Sequence, residues 1–124
     1  EQRRLIAGDG AGGDRFGVSV TLSGDGDTAL VGASQDDVDA NGDQGSATVF
    51  VRRGTTWSEQ RKLMAGDGAA DDGFGNSVAL SSDGNAALVG APWDDVGADI
   101  DQGSAYAYLL STTYLPLVLR NTSS

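Results

Sequence analysis

The chain has 124 residues, 39% of them apolar, and 18 acidic against 8 basic residues give a net charge of −10. This acidic balance argues against nucleic acid or an anionic membrane surface as a partner, because both are bound through basic patches. The absence of cysteine and histidine excludes disulfides, thiolate metal sites and catalytic triads built on histidine, so we predict that the protein is not an enzyme.

The first half of the chain predicts four short strands separated by Gly/Asp turns. From Phe16 to Leu22 apolar and small polar residues alternate, which is the period of a half-buried strand. Thr28–Ala33 is a continuous apolar run, as expected for a strand buried on both faces. Ser46–Arg53 and Thr56–Ala65 complete the set, and the turns between the strands predict an all-β fold.

The second half repeats the first at a constant offset, without insertion or deletion. EQRRLIAGDGA at residues 1–11 returns as EQRKLMAGDGA at residues 59–69, and ALVGA at residues 29–33 returns at residues 87–91. A fixed period of this length indicates a repeat architecture, in which each unit buries its apolar face against a neighbouring unit.

Two short motifs recur in order in both halves. Phe-Gly stands at Phe16-Gly17 and Phe74-Gly75, and Gly-Ala at Gly32-Ala33 and Gly90-Ala91. In this order the motifs resemble the FG-GAP repeat, which builds the β-propeller heads of integrin α subunits and many bacterial surface proteins. The resemblance implies two four-stranded antiparallel β-propeller-type blades, and because there are only two, we expect other subunits to complete them.

The phase of the repeat predicts four segments. Residues 1–7 form a strand that belongs to a neighbouring blade, residues 8–65 form blade 1, residues 66–112 form blade 2, and residues 113–124 form an apolar C-terminal strand or tail. The residues predicted to mediate assembly are the apolar ones in the two end segments, namely Leu5, Ile6, Tyr114, Leu115, Leu117, Val118 and Leu119.

One acidic loop has the ligand spacing of a calcium site. Its oxygen-bearing side chains occupy every second position, at Asp37, Asp39, Asn41 and Asp43. Together with a glycine this is the opening of an EF-hand-type loop, although Thr48 stands where the bidentate Glu would be. A structural turn and a bound Ca²⁺ both remain open for this loop.

Trp93 is the residue most suited to contact a ligand. It replaces Gln35 of the first half and lies in a loop, whereas the other aromatic residues have spacings typical of packing between blades.

The repeat number guides the functional hypothesis. A β-propeller usually needs four to eight blades, and two blades leave open faces and edges. We therefore predict an extracellular, secreted protein, its signal peptide removed, that self-assembles by strand exchange into a filament or multimeric propeller-like array. No apolar run is long enough to span a bilayer.

A cell-surface adhesion or recognition module is the alternative function. It would bind a protein or glycan through loops 34–44 and 92–102, with or without calcium. A third interpretation, a piece of a longer propeller, also remains open.

Overall fold

The computed structural model describes residues 2–38, 42–66 and 68–110. These residues form seven β-strands and no helix. The strands are β1 (Phe16–Leu22), β2 (Thr28–Ala33), β3 (Ser46–Arg53), β4 (Thr56–Leu63), β5 (Ser77–Leu80), β6 (Ala86–Ala91) and β7 (Ser104–Leu109). The all-β prediction is confirmed.

Blade 1 is a four-stranded antiparallel sheet with the order β1-β2-β3-β4. Its first three strands have the bounds that the sequence predicts, and β4 ends at Leu63, two residues before the predicted Ala65. The register between β1 and β2 shifts between Phe16 and Ser19, where a β-bulge bends the first strand.

Blade 2 is the antiparallel sheet β5-β6-β7 in the described part of the chain. Its first strand begins at Ser77, although the repeat predicts a start at Phe74. Phe74 instead forms a parallel β-bridge to Gly45 of blade 1. The predicted fourth strand, near residues 114–123, lies outside the described residues.

The long loops of the two blades are closed by equivalent hydrogen bonds. In blade 1 the hydroxyl of Ser46 donates to the carboxylate of Asp36 at 2.7 Å, and in blade 2 Ser104 donates to Asp94 at 2.6 Å. The constant offset between the two repeats is therefore preserved in the loops as well as in the strands.

The larger hydrophobic cluster lies between the blades. Blade 1 contributes the sheet face that carries Leu30, Val49 and Leu63, which we call its trailing face. Blade 2 contributes the opposite kind of face, its leading face, which carries Val89 and the fully buried Phe74. Burying a large apolar side chain stabilises the fold by about 1.5–3 kcal/mol, so this junction holds the two blades together.

A second, smaller cluster lies on the leading face of blade 1. It consists of Ala29, Val31 and Phe50, against which Leu5, Phe16 and Trp57 pack. Phe16 and Phe50 meet edge to face, with ring centroids 6.1 Å apart. The same contact recurs in blade 2 between Phe74 and Tyr108 at 6.2 Å.

Within the described residues, no helix is long and apolar enough to cross a membrane.

Candidate functional site

The junction between the blades is a close contact of two backbones. The amide of Phe74 donates a hydrogen bond to the carbonyl oxygen of Gln44 at 3.0 Å, and the Ser19 hydroxyl donates to the carbonyl oxygen of Gly75 at 2.8 Å. A Cβ atom on Gly32 would overlap that same carbonyl oxygen. The approach therefore requires glycine at residue 32, because any side chain there would separate the blades.

An ion pair ties the end of β4 to two loops of blade 1. The ammonium group of Lys62 contacts the carboxylates of Asp36 and Asp9, each at 2.7 Å. Partial burial lowers the pKa of Lys62, but the hydrogen bonds and charges of the two aspartates outweigh this effect and raise it above its ordinary value of 10.5. The hydrogen bond from Lys62 lowers the pKa of Asp9.

The trailing face of blade 2 is apolar and exposed. It carries Leu88 and Leu109, which are 49% and 72% exposed, whereas the corresponding Leu30 of blade 1 is fully buried. A shallow apolar groove of about 380 Å³ runs across this end of the blade, lined by residues that include Ala86, Leu88, Ala107 and Leu109. This face has the composition of the face that blade 1 buries.

The leading face of blade 1 is also exposed along β1. Val20 and Leu22 are 66% and 59% exposed. Their counterparts Val78 and Leu80 are partly buried against the cluster between the blades. The leading face of blade 1 therefore exposes apolar side chains, whereas the leading face of blade 2 is packed against blade 1.

The predicted assembly residues fall partly on this leading face. Leu5 packs against its cluster, and Ile6 is largely exposed. Residues 2–7 are not paired as a strand with any described part of the chain. The remaining predicted assembly residues, Tyr114, Leu115, Leu117, Val118 and Leu119, lie outside the described residues.

Trp93 stands at a cleft between the loops of the two blades and is 49% exposed. Its ring covers Gly73, where a Cβ atom would overlap it, and its amide donates to the carbonyl oxygen of Asp72 at 3.2 Å. The cleft has a volume of about 310 Å³ and is lined by Ser34, Gln35, Asp43, Asp71, Gly73, Trp93 and Asp101. An exposed aromatic ring beside carboxylates and an amide offers both a stacking surface and hydrogen-bond acceptors.

The FG-GAP repeat family model matches residues 1–50 and 57–108. The chain belongs to the FG-GAP repeat family. Its two sheets are FG-GAP blades, and the phase of the matches places residues 1–7 at the start of the first repeat. FG-GAP repeats are typical of extracellular and surface proteins and indicate a propeller-like or adhesion-type module.

The FG-GAP chain shows part of the predicted calcium loop. The carboxylate of Asp37 accepts a hydrogen bond from the amide of Asp43 at 2.9 Å, and Asp95 accepts one from Asp101 at 2.8 Å. Asp39 and Asn41 lie outside the described residues. No group of three or more acidic side chains suited to a metal ion occurs in the described ranges. Calcium at this loop stays a prediction.

Two features of this FG-GAP chain were not anticipated from the sequence. The ion pair of Lys62 with Asp36 joins residues far apart in sequence, and the available signal was the basic residue Arg4 at the equivalent position of the first repeat. The cleft at Trp93 arises from three loops, of which the sequence identified two.

Proposed function

We propose that this FG-GAP chain is a non-catalytic, extracellular structural protein that self-assembles into a propeller-like array, closed or filamentous. The observation that carries the proposal is the pair of open apolar faces, the leading face of blade 1 and the trailing face of blade 2. The same two kinds of face bury each other at the junction within the chain.

Energetics favour contact between such faces. Val20, Leu22, Leu88 and Leu109 are each at least 49% exposed. Burial of a large apolar side chain is worth about 1.5–3 kcal/mol, so several together offset the loss of freedom on association. Exposed faces of this kind mark interaction sites in soluble proteins.

Strand exchange is the route by which we propose that the copies join. Leu5 packs on the leading face of blade 1, and Leu63, its counterpart in the second repeat, packs in the junction against blade 2. The segment of residues 2–7 is therefore placed relative to blade 1 in the same way as the end of β4 is placed relative to blade 2. This placement supports a role as the last strand of a preceding blade.

Sedimentation velocity over a range of concentrations, with electron microscopy of the same samples, tests this function. We expect mass to increase with concentration and rings or filaments to be visible. Leu109→Glu and deletion of residues 2–7 are each expected to reduce the association, whereas Val96→Glu, at an exposed loop residue, is expected to leave it unchanged. A folded monomer at every concentration would contradict the proposal.

A recognition module is the second candidate, and the cleft at Trp93 is the observation that favours it. The cleft combines a half-exposed indole with Asp43, Asp71 and Asp101. A panel of immobilised neutral and amino sugars is the appropriate probe. Loss of binding in Trp93→Ala but not in Ile100→Ala would support it, and no binding by the unmodified chain would remove it.

Calcium belongs to this second candidate. If binding depends on calcium, the double variant Asp37→Ala with Asp39→Ala is expected to abolish that dependence. Binding that is unaffected by a chelator would separate recognition from the metal.

A further inference from the structure

We infer that a second copy of this chain docks head to tail in the register of the internal junction. The trailing face of blade 2 and the outer edge of β7 receive the leading face of blade 1 and residues 2–7 of the next copy. This inference rests on the proposed function and specifies its contacts.

The first observation is the open space beside Gly17 of blade 1. At the internal junction a Cβ atom on Gly75 would overlap the carbonyl oxygen of Ser46, so the backbone of blade 1 lies directly against it. Gly17 is the counterpart of Gly75 and has the same backbone angle, with φ near +94° against +96°. No atom of the described residues lies within 4 Å of a Cβ on Gly17. Blade 1 therefore keeps the shape of a junction without its partner.

The second observation is that Gly90 and Gly103 of blade 2 have no contact with another blade within the described residues. Gly32 lies under the carbonyl oxygen of Gly75, and its counterpart Gly90 is close, among the described residues, only to Ser77 in its own blade. Likewise Gly45 lies against the backbone of Phe74, whereas the nearest described atoms to its counterpart Gly103 belong to its own loop. Gly17 on blade 1, and Gly90 and Gly103 on blade 2, therefore lack the contacts across a junction that their counterparts make, within the described residues.

The internal strand pairing gives the register of the exchanged strand. β4 pairs with β3 so that Leu63 stands opposite Ala47. In the repeat, Leu5 is equivalent to Leu63 and Ala105 is equivalent to Ala47. The same pairing between two copies therefore places Leu5 of one copy opposite Ala105 of the preceding copy. Among the described residues β7 pairs only with β6, and a strand added along its other edge would extend the sheet of blade 2 as β4 extends that of blade 1.

Charge complementarity supports the same register. Inside blade 1, Lys62 of the fourth strand forms an ion pair with Asp36 of the loop after β2. Their counterparts at the intermolecular junction are Arg4 of one copy and Asp94 of the preceding copy. Arg4 is exposed, and Asp94 is partly buried in the same loop position as Asp36. A basic and an acidic side chain therefore meet again.

This contact joins two different surfaces, so it is heterologous. Such a contact gives a ring if the rotation between copies closes and a filament if it does not.

Gly90→Ala is the first test. The added methyl group displaces only the movable Ser77 side chain within the described chain, but it would meet the backbone of the next copy at the junction. We expect about tenfold or more weaker self-association, a change that corresponds to a modest steric cost at one contact. Gly12→Ala is the matched control, because the equivalent residue of blade 2 is already Ala70. Equal association of Gly90→Ala, Gly12→Ala and the unmodified chain would overturn the inference.

Cysteine cross-linking is the second test and does not depend on the stability of Gly90→Ala. A Cβ atom on Gly24 would lie 3.0 Å from Cβ of Ser82 across the internal junction, so a separation of about half an ångström more reaches the distance of about 3.5 Å that a disulfide allows. The repeat places Ser82 of one copy beside Gly24 of the next. Because the chain has no cysteine, Gly24→Cys and Ser82→Cys are single-thiol proteins.

The mixture of these two proteins is expected to give a disulfide-linked heterodimer under mild oxidation, while each alone stays uncross-linked. Cross-linked homodimers of either protein alone, or no heterodimer from an associating mixture, would overturn the head-to-tail register. Self-association would then occur through a contact other than the head-to-tail one, and the proposed function would be retained. A monomeric unmodified chain would instead remove the proposed function itself.

Discussion

The hydroxyl of Ser19 in blade 1 donates a hydrogen bond of 2.8 Å to the carbonyl oxygen of Gly75 in blade 2. The oxygen lies directly over Gly32, which has no side chain to displace it. The contacts of the Gly75 carbonyl group with Ser19 and Gly32 therefore set how closely the two blades approach.

Gly32→Ala is expected to destabilise the chain. The added Cβ would overlap the Gly75 carbonyl, which is backbone and has no rotamer by which to move aside. Overpacking of this kind costs about 1–3 kcal/mol. Urea unfolding followed by circular dichroism measures the loss, with Gly12→Ala, which has open space around it, as the control. Equal midpoints for the two variants would contradict the close approach.

Phe74→Ala and Phe16→Ala are expected to differ in effect. Phe74 is fully buried between the blades, so its truncation is expected to cost about 3–5 kcal/mol. Phe16 is only partly buried on the open leading face, so the loss for the monomer is expected to be smaller. Urea midpoints of both variants at low protein concentration make the comparison, and a larger loss for Phe16→Ala would argue against the assignment of the two faces.

Removal of Lys62 is expected to matter at neutral pH and not at high pH. Its pKa is raised in the folded chain, so its stabilisation is fully present below the ordinary value of 10.5 and is lost as pH rises through the higher folded value. Because the pair lies near the surface, about 1 kcal/mol or less is expected.

The measurement for Lys62 is the unfolding midpoint of the unmodified chain and of Lys62→Met at pH 7, 9 and 11. The difference between the two proteins is expected to persist to pH 9 and to narrow at pH 11. A difference that does not change with pH would show that Lys62 acts through packing alone.

Ser23→Ala is expected to raise the pKa of Asp25 toward its ordinary value of 3.8. The Ser23 hydroxyl, at 2.6 Å, and the Asp27 amide, at 2.9 Å, donate to this carboxylate and lower its pKa. A lowered pKa means that the turn gains stability above pH 3.8 and loses it as pH falls through the folded value.

Carbon-detected NMR titration of the aspartate side chains measures this change. Ser81→Ala is the matched variant, because Ser81 and the backbone amide of Asn85 hold Asp83 in the same way. Each serine variant is expected to move only the aspartate of its own turn, and a shift at both would contradict a local cause.

Sequence alone determined most of blade 1. The alternation from Phe16 has the period of a strand, and the run Thr28–Ala33 is too short for a helix and follows a Gly/Asp turn, so both specify strands, which have the predicted bounds. The start of β5 at Ser77 did not follow from the repeat, because Phe74 forms a bridge with Gly45 of the other blade and Phe16 forms no such bridge within the described residues.

The site was less predictable than the fold. The exposed position of Trp93 followed from its loop, but the cleft beside it depends on how two loops and the connection between the blades meet in space. The pairing of Lys62 with Asp36 likewise depends on the end of β4 passing the loop after β2.

Asp37→Ala is expected to loosen the loop that it closes. The variant loses the acceptor for the Asp43 amide, and loss of one such hydrogen bond costs about 0.5–1.5 kcal/mol. For a structural turn, the fall in melting temperature is expected to be the same in calcium and in a chelator. If calcium raises the melting temperature of the unmodified chain but not that of Asp37→Ala, the loop is a metal site and the purely structural interpretation is wrong.

Much of the polar contact between the blades is made by the main chain. Amides of Phe74, Asp71 and Gly24 donate across the junction to the carbonyl oxygens of Gln44, Gly42 and Ser82. Such contacts do not depend on which side chains surround them. Away from the glycines of the junction, repeats of this design are therefore free to diverge in sequence, as Val18 and Asn76 or Thr48 and Tyr106 already have, while their spacing and mutual orientation are inherited unchanged.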